Sequence, residues 1–163
     1  MEARLQAAIV DLDHAIGSFD SSADDVTIRR AVQSILTNLN RLREHRRRLL
    51  GGSYFEIEEQ SSHGATTAAL IMVRGFAEQD LLRAVVPEER RILPGETFPS
   101  EHLYPGSNLV WIPREELPFK MEHRNFKQNH EAGYDAYLAH QPVAGTFAIA
   151  RAFLVEDAWL GSL

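Results

Sequence analysis

The stretch DDVTIRRAVQSILTNLNRLREHRRRLLGG, residues 24–52, decides how the chain folds. Ile28, Ala31, Val32, Ile35, Leu39 and Leu42 recur at the three-and-four spacing of one helix face. Asp24 or Asp25 can cap the start by accepting free amide protons, and Gly51 and Gly52 stop the helix at its far end. One long amphipathic helix is therefore predicted, and it needs partners to cover its apolar stripe.

The first partner lies just upstream. Leu5, Ala8, Ile9, Leu12, Ile16 and Phe19 keep the same period, which predicts a helix over about residues 3–19. The polar stretch DSSADD separates the two, so residues 1–50 read as a helical hairpin. Downstream, a third helix is expected over 55–86, with the face Ala65, Ala68, Ala69, Met72 and Phe76. SSHG at 61–64 marks a break in it, where Ser61 or Ser62 can cap the second part of the helix.

Prolines at 87, 94, 99, 105, 113 and 118 exclude a long helix across 87–120. LPGE and YPGS offer type II turns, and NLVWIP at 108–113 is the strongest short strand in the chain. The segment reads as an insertion holding a small β-hairpin or an ordered loop, with Tyr104 and Trp111 as its aromatic residues. Such residues usually pin a loop to its bundle, and they can also serve as a contact surface for a partner.

Helical spacing resumes over 121–156. Phe126, His130, Tyr134, Tyr137 and Leu138 share one face of a helix that ends near His140, since the residue before Pro142 is pushed out of the α region. Pro142 suits the first position of a last helix, with the face Val143, Phe147, Ala150 and Leu154. The predicted architecture is one mainly α domain over 1–163, a four- or five-helix bundle with a proline-rich insertion.

Composition narrows the chemistry. The 163 residues are 44% hydrophobic, enough for a real core, and include no cysteine. Disulfides, thiolate metal sites and cysteine nucleophiles are excluded, and a reducing cytoplasmic setting is expected. The first residues lack the basic start and pure apolar run of a signal peptide, and the longest apolar run, 68–73, is too short to span a bilayer. A net charge of -6 opposes general coating of nucleic acid and suits a basic protein partner. The average hides RLREHRRR at 41–48, where Arg41, Arg43, Arg46, Arg47 and Arg48 form a candidate RNA-binding patch. Basic residues in the last turns of a helix also suit its macrodipole.

One stretch combines groups fit for catalysis: RNFKQNH, Arg124 to His130. Cleaving RNA at its own 2'-hydroxyl needs a group that titrates near neutrality, which histidine supplies. It also needs a fixed cation for the charge that builds on phosphorus, which arginine supplies with a forked donor set. The arrangement of Arg124, Asn125 and His130 resembles the signature of the HEPN superfamily, small four-helix proteins that include metal-independent ribonucleases of bacterial defence and toxin–antitoxin systems. The resemblance implies His130 as acid–base, Arg124 on the phosphate, Asn125 as an orienting group, and a homodimer in which two motifs face each other. It covers the helical parts and leaves the insertion unaccounted for. In the third helix, the place of a second motif reads Arg74 to Gln79 without histidine.

Other chemistries fare less well. His102, His123, His130 and His140 lie among glutamates, but no HExxH is present, and His123 and His130 on one helix would stand about 10 Å apart along its axis. No metal site and no cofactor are expected. His63 beside Ser61 and Ser62 suits a cap better than a nucleophile–base pair, and no glycine-rich phosphate loop is present. The other class of function open to this sequence is a non-catalytic interaction protein, such as an antitoxin, immunity or phage-encoded binding subunit, using the insertion with Tyr104 and Trp111 or the C-terminal tail as its contact surface.

Overall fold

The computed structural model describes residues 2–20, 23–74, 85–87, 109–117 and 128–157. Among these, six α-helices carry the architecture: α1 Glu2–Gly17, α2 Asp25–Leu50, α3 Ser53–Gln60, α4 Ser62–Val73, α5 Gln128–Tyr137 and α6 Val143–Ala152. Two short strands, β1 Val85–Pro87 and β2 Leu109–Trp111, pair antiparallel with Val86 opposite Val110. The fold is a mainly α bundle.

The long helix α2 has the ends its sequence predicts. Asp24 Oδ1 accepts hydrogen bonds from the Val26 and Thr27 amides at 2.9 and 3.1 Å, and Thr27 Oγ1 donates to Oδ2 at 2.7 Å. These bonds satisfy donors that the helix start leaves orphaned. At the other end Gly51 takes φ 61, a left-handed value that glycine adopts without the Cβ penalty, and its amide donates to Arg47 O at 2.9 Å. Ile28, Val32, Ile35, Leu36, Leu39 and Leu42 are all buried.

The predicted third helix over 55–86 breaks at SSHG as expected and is corrected at its far end. Ser61 adopts an extended backbone, φ -114 and ψ 134, which ends α3; its Oγ then accepts from the Gly64 amide at 3.4 Å to begin α4. At its far end, Val85–Pro87 is a strand, a conformation that two β-branched residues ahead of a proline favour. Residues 75–84 lie outside the described residues.

Helix α4 forms the centre. It packs against α2, α3, α5 and α6. Its sequence, SHGATTAALIMV, is small or apolar on every side, the composition of a helix enclosed by others. The hydroxyls of buried Thr66 and Thr67 donate to the carbonyls of Ser62 and His63, at 2.9 and 2.8 Å, so enclosure leaves them satisfied. Gly64 is a contact requirement: a Cβ there would stand 2.7 Å from Glu58 Cα.

Strand β2 ties the two halves together. On its open side the Trp111 amide donates to Gln141 O at 3.1 Å and the His140 amide donates to Trp111 O at 2.8 Å. His140 reaches this register with φ 68, and Pro142 caps α6 in place of serving as its first helical residue. The expected face of α6 is buried in full: Val143, Phe147, Ala150 and Leu154. The helix continues as a π-helical turn over Phe153–Asp157. Among the described residues no helix is long and apolar enough to cross a membrane.

Candidate functional site

His130 falls in the first turn of α5. That helix is held at its other end: Tyr134 is buried and its hydroxyl donates to Ile112 O at 2.8 Å, and Leu138 is buried beside it. Desolvation pushes the Tyr134 phenol well above its ordinary pKa, with the nearby Asp135 charge acting in the same direction. It therefore stays a neutral donor. Tyr134 lies four residues, about one helical turn, after His130 along α5. Arg124 and Asn125, the other two members of the candidate set, lie outside the described residues.

The arginine stretch separates into two groups. Arg43 is turned inward: Nε and one terminal nitrogen donate to the two carboxylate oxygens of Glu58, each at 2.6 Å. Its guanidinium also lies 5.6 Å from the Tyr54 ring centroid and 5.8 Å from that of Phe55. Burial lowers its pKa, but the Glu58 hydrogen bonds and charge outweigh this and hold Arg43 firmly protonated. The Tyr54 hydroxyl donates to the same Glu58 at 2.8 Å, and desolvation, reinforced by the Glu58 charge, pushes the phenol far above its usual range. Arg46 donates from Nε to Leu154 O at 3.0 Å, binding α2 to the π-helical turn. Burial lowers its pKa from the ordinary arginine value.

The remaining arginines face solvent. Arg47 bonds Glu44 one turn earlier, at 2.8 and 3.1 Å. Arg41 stands 3.8 Å from Asp11 of α1, with both side chains more than half exposed, a weakly held pair. Arg48 is exposed at the end of α2. The predicted patch of five thus presents Arg41, Arg47 and Arg48 outward and commits Arg43 and Arg46 to the fold. Within the same stretch His45 Nε2 is shielded from solvent and makes no hydrogen bond among the described residues.

Trp111 has no exposed surface. Its indole Nε1 donates to Thr146 Oγ1 at 3.0 Å, and its ring meets Phe147 edge-on at 6.3 Å. It pins β2 to α6 and offers nothing to a partner in this conformation. Tyr104 lies outside the described residues.

Two participants escaped the sequence. Glu58 reads as one more surface carboxylate of a short helix, yet it is 4% exposed. The only local signal is its spacing of four from Tyr54 on a helix face. Leu154 O, in the π-helical turn, accepts from Arg46 across 108 positions, which no residue pattern announces. Among the described residues no group of three histidine or carboxylate side chains could hold a metal ion. Comparison of the chain with protein-family models, with curated proteins and with solved structures returns no match.

Proposed function

We propose that this chain is a HEPN-like protein of a bacterial defence or toxin–antitoxin type, a cytoplasmic, metal-independent endoribonuclease acting as a homodimer. The observation that carries the reading is the sequence Arg124-Asn125 followed by His130, with His130 in the first turn of a helix docked on the central α4. In the reaction the 2'-oxygen attacks the neighbouring phosphorus, the bond to the 5'-oxygen breaks, and a 2',3'-cyclic phosphate remains. His130 moves the proton, taking it from the 2'-hydroxyl or giving it to the departing 5'-oxygen. Arg124 binds the phosphate oxygens as their charge grows, and Asn125 orients the group. Expression of wild type and His130→Ala in bacteria tests this: the wild type should slow growth and fragment RNA, and the variant should do neither. Equal behaviour would sink the nuclease reading.

A second reading is favoured by the fate of the arginines. Since Arg43 and Arg46 are used internally, less cationic surface is left for RNA than the sequence promised. A non-catalytic antitoxin, immunity or phage-encoded binding subunit needs no such surface. Val10, Val26, Leu49, Phe55 and Ile149 are exposed apolar side chains available for contact, and the net charge of -6 suits a basic partner. Under this reading, the wild type alone leaves RNA intact and co-purifies with a protein of opposite charge.

A further inference from the structure

Helices α1 and α2 are joined by residues 18–24 and pack against each other as a hairpin. So short a connection makes them run antiparallel. On their outer side Asp11 of α1 faces Arg41 of α2. Two helical turns are seven residues, about 10 Å, and return each helix to nearly the same face. Seven residues toward the start of α1 is Arg4, and seven toward the end of α2 is Arg48. Carried along this register, the place that holds an acid opposite Arg41 holds an arginine, Arg4, level with Arg48.

Both side chains are exposed, and neither makes an ion pair or hydrogen bond among the described residues. The nearest acid on this end of α2, Glu44, is engaged by Arg47. A cation in the first turn of α1 opposes that helix's own dipole, while the negative end of α2 alongside acts in the other direction. Two like charges at one level of a hairpin repel unless an anion lies between them.

The geometry points to Arg4 and Arg48, at the open end of the α1–α2 hairpin, as a two-arginine site for the phosphodiester backbone of RNA, with Arg47 at its edge. This rests on the ribonuclease reading for its ligand, and it adds a residue from α1 that the arginine-rich stretch does not contain. Phosphates fit because guanidinium groups donate in a fork to paired anionic oxygens and keep their charge at any working pH. At physiological ionic strength potentials are screened within about 8 Å, so a local pair of cations acts on a nearby strand despite the net negative charge of the chain.

The test is fluorescence anisotropy of a labelled single-stranded oligoribonucleotide against the full chain, in the His130→Ala background so that the probe survives. Arg4→Ala/Arg48→Ala should weaken binding at least tenfold and reduce the slope of log affinity against log salt by about 1.4, the loss of two phosphate contacts on a single strand. Arg30→Ala/Arg114→Ala, which removes the same charge from exposed positions elsewhere, should stay within about threefold. Circular dichroism on each variant confirms the helical fold. Equal weakening by the two double variants, or no binding by the parent protein, overturns the proposal. RNA binding that depends on Arg4 and Arg48 in a wild type that cuts no RNA would uphold this site and reject the nuclease alone.

Discussion

The Arg43 guanidinium grips the Glu58 carboxylate through two parallel hydrogen bonds of 2.6 Å, clamping α2 to α3 across the Gly51–Gly52 turn. Paired in this way, a desolvated charge is tolerated; unpaired, it is costly. Arg43→Ala should therefore lose about 3–5 kcal/mol of stability in urea denaturation. Arg43→Lys should recover part of it, since a single ammonium cannot reproduce the fork. Arg43→Met combined with Glu58→Leu should be less damaging than Arg43→Ala alone. If Arg43→Ala unfolds at the wild-type urea concentration, the arginine is not a structural clamp.

Gly64 sits where α4 begins to pass over α3. Its missing side chain lets the two backbones touch, and a Cβ would meet the Glu58 backbone, which cannot swing aside as a side chain could. Gly64→Ala should cost on the order of 3 kcal/mol despite alanine's better helix propensity. Thermal unfolding gives the sign at once: a higher Tm would show that α3 is free to shift.

Trp111 contributes both volume and a hydrogen bond. Trp111→Phe removes the donor to Thr146 Oγ1, a loss of about 1 kcal/mol, because that hydroxyl still donates to Val143 O at 2.7 Å. Trp111→Ala empties the space between β2 and α6 and should cost about 3–5 kcal/mol. Similar denaturation midpoints for the two variants would mean the ring is not buried in solution.

Arg151 holds the Asp13 carboxyl below its ordinary value of 3.8 through a two-pronged hydrogen bond, with the arginine charge adding to it and partial burial opposing it. A carboxylate whose folded pKa is depressed stabilises the fold above its unfolded pKa and loses that contribution as pH falls through the folded one. Asp13→Asn should be slightly less stable than wild type at neutral pH, by a few tenths of a kcal/mol given the exposure of the pair. The two should converge once the pH falls below the lowered Asp13 pKa. A gap that persists or widens in acid would contradict the linkage.

The parts of the fold legible in the sequence are those set by neighbours along the chain. Asp24 and Gly51 mark the ends of α2 because caps act over three or four residues. The buried face Val143, Phe147, Ala150 and Leu154 follows from period alone, and NLVWIP reads as a strand from its β-branched and aromatic content. What depends on distant partners was not legible. Glu58 is buried with its charge matched by Arg43, fifteen positions away. The expected helix over 55–86 failed at Val85–Pro87, where pairing with Leu109–Trp111 outweighed the apolar period. Of the candidate site, the placement of His130 on a helix was readable, and the division of the arginines was not, because five guanidinium groups in one stretch look alike until their surroundings differ.

If His130 drives metal-free cleavage of RNA, its removal must abolish a reaction that needs no divalent ion. Purified wild type and His130→Ala are incubated with single-stranded RNA in excess EDTA, and the product ends are identified. The wild type should yield fragments ending in 2',3'-cyclic phosphate, and the variant should cleave at least a hundredfold more slowly. Intact RNA with the wild type, or equal cleavage by both proteins, would contradict the proposed role of His130.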